Sequence, residues 1–268
     1  MGVADVIPGV SGGTIAFITG IYEELVHSIS TILAGVTTSL LLLSGTMLYL
    51  LKYYPVIIWS FFFGLVLTSG PLILRKIKKW RINSIAGLIT GVGVAYIFTI
   101  LSPTQSPDNL FFVFLSGAIA ICAMVLPGIS GVFILLLLGK YQYLITALNE
   151  FNLLVIFVFT VGCVLGLIGI SRLLTRVLND YNETTIAVLS GLMMGALNKV
   201  WPWRKVLEYA TNSKGDQIAV FDKSILPWDY LSVTGKDPQL FQAIFMMALG
   251  VLIVVLIEKI AVRIKMKH

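Results

Sequence analysis

Long apolar runs separated by short polar intervals extend along the whole chain. A helix that crosses a bilayer needs about 20 mostly apolar residues. The runs at 30–51, 56–74, 84–101, 110–126, 153–171, 184–200 and 240–260 reach or approach that length. The pattern predicts an all-α, polytopic membrane protein, organised as a single transmembrane domain over residues 1–268. The polar intervals orient it. "RKIKKWR" at 75–81 carries five basic residues in seven. It reads as a cytoplasmic loop that grips anionic headgroups, with a dedicated substrate funnel as the other reading. "SPTQSPDN" at 102–109 has neither Lys nor Arg and is expected to face outward. Arg172 and Arg176 mark another cytoplasmic end, as do Lys259, Arg263, Lys265 and Lys267. Residues 201–238 form a sizeable polar excursion whose "WPWRK" start predicts an interfacial aromatic anchor.

Against this background the chain repeats itself. "PGVSGGTIAFITGIY" at 8–22 and "PGISGVFILLLLGKY" at 127–141 share P-G-[VI]-S-G, seven residues, then G-x-Y. "AGLITG" at 86–91 is echoed by "SGLMMG" at 190–195. Two matches in the same order predict an internal duplication, with repeat one at about 1–105 and repeat two at about 106–268. The spacing from Gly9 to Gly87 exceeds that from Gly128 to Gly191 by about 15 residues, which belong to the segment around 30–51. If 30–51 spans fully, both G-L-x-x-G helices start in the cytoplasm; if it does not, the repeats are inverted. Inversion is the favoured arrangement, since transporters place inverted repeats around midplane sites made of broken helices. The G-L-x-x-G glycines themselves, Gly87 with Gly91 and Gly191 with Gly195, have the spacing of close helix packing.

The first repeated motif is where chemistry enters. Pro127 ends one helix, Gly128 permits the turn, and Ser130 can cap the next helix. Pro8, Gly9 and Ser11 repeat that order. Non-helical backbone at membrane depth is tolerated only inside protein or beside a water-filled cavity. Each motif therefore predicts a re-entrant or broken helix. A helix N-terminus offers unpaired N–H groups and suits phosphate. Ser11, Gly12, Gly13 and Thr14 in the first copy, with Ser130 and Gly131 in the second, are the expected substrate-binding residues; the competing reading is two kinks needed only for packing. Asp5 stands three residues before Pro8 in an apolar setting. It is either a proton or cation coupling residue or an interface residue near the N-terminus. Glu23, Glu24 and His27 read as the polar end of a helix rather than a catalytic cluster. Lys140 stands where the first copy has Ile21, so the two sites need not be equivalent. Arg172 is a candidate phosphate partner, with snorkelling to the headgroups as its alternative.

Composition sharpens this picture. The chain is 57% hydrophobic and only 12% charged, against about 25% charged for a soluble domain. Its net charge of +6 sits beside apolar segments, which reads as membrane anchoring rather than nucleic-acid binding. Cys122 and Cys163 lie in apolar runs without a metal or redox motif. No phosphate-binding P-loop, nucleophile elbow or Cys/His metal spacing is found, and two histidines cannot build a multi-His site. Enzymatic chemistry, a metal and a cofactor are therefore not expected. Position 6 is Val, which excludes the N-myristoylation motif. The abrupt start predicts a short upstream segment or a misassigned initiator.

"GVADVIPGVSGGTIAFITGIYEEL", the second "VLPGISG" and "GLMMGALNKVWPW" together resemble the bacterial undecaprenyl phosphate translocase family (PopT), formerly a membrane domain of unknown function. The resemblance runs from the first residues to the final helix. It implies a multi-pass protein of the bacterial cell membrane that returns undecaprenyl phosphate from the outer to the inner leaflet for reuse in envelope polymers. The polyprenyl phosphate and the bilayer are then its partners, and a homo-oligomer is left open. From the residues alone, a secondary transporter or channel for a small soluble anion is the alternative, because the same helix ends would serve it.

Overall fold

The computed structural model describes residues 49–51, 53–75, 77–101, 106–107, 109–211 and 217–265. The first copy of the P-G-[VI]-S-G motif, with Asp5, Pro8, Gly9, Ser11, Gly12, Gly13 and Thr14, lies outside them, as do Glu23, Glu24, His27 and almost all of 30–51.

Each described apolar run becomes a helix whose ends fall at polar residues, proline or glycine. The helices are α1 (Pro55–Leu74), α2 (Ile82–Ile100), α3 (Leu110–Val125), α4 (Gly131–Leu137), α5 (Tyr141–Asn149), α6 (Leu153–Asp180), α7 (Asn182–Gly195), α8 (Pro227–Thr234) and α9 (Leu240–Lys265). Among the described residues, α1, α2, α6 and α9 are long and apolar enough to cross a bilayer. Asn109 and Asn152 cap α3 and α6 by accepting from the Phe112 and Val155 N–H groups, satisfying donors that lipid would leave bare.

Three parallel helix pairs organise the bundle. In the first, a β-carbon on Gly91 would strike the Val188 carbonyl oxygen, and one on Gly191 would strike that of Leu88. Gly87 faces Thr184 and Val188, while Gly195 faces Val92, Ala95 and Tyr96. The order of these contacts makes α2 and α7 parallel, and their reciprocity is a local two-fold relation. The inversion favoured from the sequence therefore does not relate these two helices. Gly117 packs on Phe159, Gly162 on Phe114 and Gly166 on Ala118, so α3 and α6 are also parallel. Gly64 meets Met247, and Gly250 meets Phe61 and Leu65. Val56 and Ala243, near the starts of α1 and α9, share one buried cluster, which makes this third pair parallel too.

The α3–α6 pairing has a topological consequence. Both helices begin at the same face, so residues 126–152 must return there. They do so through α4 and α5, which are bent by 104° to each other. Gly131 starts α4 beside Ala120 and Met124, at the far end of α3. Leu144 and Ala147 of α5 pack with Val113 and Val155, at the starts of α3 and α6. Thus α3 and α4 form a re-entrant hairpin rather than the span suggested by 110–126. At about 1.5 Å per residue, the 16 residues of α3 reach about 24 Å, short of the roughly 30 Å hydrocarbon core. Likewise 184–200 yields only the 14-residue α7, followed by a 3₁₀ turn at Ala196–Asn198.

The leftover faces agree with the charge pattern. Leu74, Ile82, Asp180, Asn182 and Lys265 all fall at the basic end, where the Lys79 N–H donates to Glu183 at 3.2 Å. The opposite end holds the 106–109 loop, α5 and the polar excursion. That excursion is an antiparallel hairpin of β1 (Arg204–Thr211) and β2 (Gln217–Ser224), followed by α8. By the positive-inside rule it faces out. Among the described residues, this small hairpin is the exception to helix.

Candidate functional site

Pro127 and Gly128 form the tip of the re-entrant hairpin, and two local facts explain why the chain turns there. Proline cannot continue α3, and Gly128 takes φ +91°, a left-handed value that suits glycine. The tip is seated on the outer end of α7. A β-carbon on Gly128 would lie 2.9 Å from the Leu192 carbonyl oxygen and 3.1 Å from Met193 and Ala196. Pro127 and Ile129 are buried in this seat, whereas Gly128, Ser130 and Gly131 are half-buried.

Ser130 occupies the N-cap position of α4 with extended backbone, and its carbonyl accepts from Ile134 N at 3.1 Å. Its hydroxyl, however, makes no capping bond. The side chain expected either to cap or to bind thus does not cap. Arg172, the other expected anion partner, is exposed on α6, and no described hydrogen bond or ion pair joins it to Ser130. Its position, two turns before the basic end of α6, fits snorkelling into headgroups.

Lys140 closes the hairpin at its outer end. It is fully buried and donates to the carbonyls of Ser106 at 2.9 Å and Pro107 at 2.6 Å, with the Tyr143 ring 5.3 Å away. Ser106 Oγ in turn donates to the Leu138 carbonyl at 2.6 Å. The lysine that breaks the repeat pattern therefore pins the loop before α3 to the α4–α5 elbow.

A charged cluster that the sequence pattern did not single out sits beside α4. Lys199 Nζ is 2.8 Å from Asp222 Oδ1, and it lies over the Phe133 ring of α4 at 4.4 Å from the centroid. Arg204 reaches the same carboxylate, Nη2 donating to Oδ1 at 2.8 Å, while its Nη1 donates to the Lys199 carbonyl. Its Nε is 2.7 Å from Oδ2 yet has no acceptor in line. Burial pushes the Lys199 pKa down, Asp222 opposes the fall, and Arg204 adds to it. Burial also lowers the Arg204 pKa against the pull of Asp222. The one sequence signal was position, since Lys199 and Arg204 directly follow an apolar run; nothing in the spacing pairs them with Asp222.

Next to this cluster a cavity of about 570 Å³ opens, lined by Phe63, Leu197, Asn198, Trp201, Ser224, Ile225, Leu226 and Asp229. Trp201 and Trp203, the indoles of the expected interfacial anchor, both pack within the protein. Trp203 is buried against Val56, Tyr230 and Ala243, and its indole N–H donates to the Pro238 carbonyl at 2.8 Å. Trp201 donates to Ile225 at 2.8 Å and stacks edge-on with Phe63 at 5.3 Å. Both indoles find their partners within the protein, so they fasten the excursion to α1 and α9.

Comparison with known proteins supplies a context for these sites. The family described as "Undecaprenyl phosphate translocase-like" matches residues 1–34 and 30–218. A "Polyprenyl-phosphate transporter" of Vibrio cholerae serotype O1 is 39% identical over 289 residues, covering 97% of this chain and 94% of its own. A "Polyprenyl-phosphate transporter" of Staphylococcus aureus is 30% identical over 236 residues, covering 75% of this chain and 83% of its own. No solved structure matches the chain.

Proposed function

The chain belongs to the undecaprenyl phosphate translocase-like family, and from that premise we propose that it carries undecaprenyl phosphate from the outer to the inner leaflet of the cell membrane. It is a multi-pass membrane transporter, not an enzyme. Moving an isolated charge through hydrocarbon costs on the order of tens of kcal/mol. The prenyl chain can remain in lipid, so the protein need only shelter the headgroup. The observation that carries the proposal is the Pro127–Gly131 tip, a break in helical backbone where the Ser130 hydroxyl makes no capping bond. Ser130 and Gly131 then meet the phosphate from one side. Ser11, Gly12, Gly13 and Thr14 are the residues proposed to do so from the other.

Inward movement of a dianion against an inside-negative 100 mV costs about 4.6 kcal/mol, at about 2.3 per charge. Co-transported protons would remove most of that cost, and Asp5 is proposed to carry the coupling. Asp5→Asn should therefore abolish the pH dependence of transport; an unchanged rate and profile would discard the coupling role. The central test is leaflet-specific detection of undecaprenyl phosphate in cells with and without the protein. Depletion should raise the outer-leaflet carrier, and an unchanged level in cells lacking other translocases of this lipid would sink the proposal.

A further inference from the structure

We infer that Lys199 and Arg204 form a receiving site for a phosphate monoester on the outer side of the protein, with Asp222 as their resting counter-ion. The site rests on the transport reading and deepens it by assigning where the headgroup first binds.

The charges within the cluster do not cancel. Lys199 and Arg204 are both largely buried, with side chains 21% and 8% exposed. Among the residues whose side chains are described, Asp222 is the one carboxylate within ion-pair distance of either. Two buried cations against one carboxylate leave a positive excess, and an unmatched buried charge is destabilising. A staple that only fastened β2 to the end of α7 would need a single cation. The guanidinium nitrogens of Arg204 are spent on Asp222 and the Lys199 carbonyl, so a phosphate would take the place of the Asp222 carboxylate. A guanidinium fork and an ammonium on one side match the oxygens of a phosphate, which accepts bidentate bonds from arginine and a point charge from lysine.

Location ties the cluster to the transport path. Phe133, which carries Lys199 on its face, lies one helical turn beyond Ser130 on α4. The tip itself rests on Leu192, Met193 and Ala196, just before Lys199 in the chain. A phosphate on Lys199 and Arg204 would thus stand next to the outer limb of the re-entrant hairpin. The adjoining cavity of about 570 Å³ is mostly apolar and uses the neighbours of Lys199 and Asp222 in sequence, Leu197, Asn198, Ser224 and Ile225. Its size lies within the roughly 300–1,000 Å³ of small-ligand sites, enough for the first prenyl units behind a headgroup. Its own carboxylate, Asp229, is exposed, so water and salt screen its repulsion.

The test uses the full chain in lipid nanodiscs, titrated with farnesyl phosphate, farnesol and inorganic phosphate. Farnesyl phosphate should bind, and Lys199→Gln and Arg204→Gln should each weaken it by about 10-fold or more, the loss of a charge-assisted bond. Lys199→Arg should retain binding. Asp222→Asn should tighten it by about 3-fold, because it removes the competing carboxylate. A purely structural cluster predicts the reverse for that variant: Asp222→Asn and Lys199→Gln would melt earlier alike, with unchanged affinity in the folded fraction, and that result would overturn the inference. Where a glutamine variant fails to fold, the arginine and asparagine variants decide alone. Inorganic phosphate that binds with the same dependence on Lys199 would assign the site to the phosphate group itself; dependence confined to farnesyl phosphate would assign it to the lipid headgroup. Either supports the site. In proteoliposomes, transport of farnesyl phosphate with unchanged KM in Lys199→Gln would remove the site and leave the function. No transport by the wild type, with Lys199-dependent binding intact, would do the opposite.

Discussion

Gly128 shows how much one residue can decide. Its φ of +91° and the 2.9 Å clearance to Leu192 leave no room for a side chain. Gly128→Ala should cost about 1–3 kcal/mol in backbone strain and unseat the tip. A lower unfolding midpoint in detergent, with loss of transport, would be the signature; an unchanged midpoint would show that the tip is not held on α7. Lys199 offers a second check. Burial lowers its pKa, so the ammonium loses its proton at a lower pH than an exposed lysine, which titrates near about 10.4. Prenyl phosphate affinity should therefore fall as pH rises through that lowered range. Lys199→Arg keeps its charge and should move the fall to higher pH; coincident profiles would rule Lys199 out as the titrating group. Gly128 was legible in the sequence because Pro-Gly inside an apolar run interrupts a helix wherever it falls. Asp222 was not, because it lies 23 positions from Lys199 and only the β-hairpin brings them together.

At the scale of elements, the glycine seams hold the bundle. A β-carbon on Gly91 collides with the Val188 backbone, so it cannot be relieved by a side-chain rotation. Gly91→Val should separate α2 from α7 and cost about 2–4 kcal/mol. By contrast, Gly93→Val meets open space and should leave the melting curve nearly unchanged. Equal effects would refute the seam. Lys140→Met keeps an unbranched side chain, one atom shorter, but leaves the Ser106 and Pro107 carbonyls without the ammonium, at about 1–3 kcal/mol each; faster hydrogen exchange at the α4–α5 elbow would report it. The broken helix at Pro127 and the packing role of the G-L-x-x-G glycines could be read directly. The relative direction of α2 and α7 could not: the repeat pattern ties it to whether 30–51 spans, whereas it turns on whether 110–152, which lies between them, crosses the membrane. Hydropathy measures the length of a run, and a 16-residue limb resembles a short span.

At the scale of the molecule, the faces are assigned by charge. In a background with Cys122→Ser and Cys163→Ser, a cysteine introduced by Lys78→Cys should react with an impermeant thiol reagent only from the cytoplasmic side. One introduced by Lys236→Cys should react only from outside, and reversed labelling would overturn the orientation. Overall class and charge asymmetry were legible because the bilayer restricts backbone to few forms. The outer β-hairpin was hidden by its ordinary polar composition. The seating of the hairpin also bears on biosynthesis. Pro127 and Gly128 leave the ribosome before Leu192, Met193 and Ala196, so the tip has no resting place when it is made. The α3–α4 limb must wait at the outer surface, or enter the bilayer unsupported, until α7 has been inserted beside α2. A nascent chain halted between α6 and α7 would then expose this limb to extracytoplasmic proteases, while a chain halted after α7 would shield it.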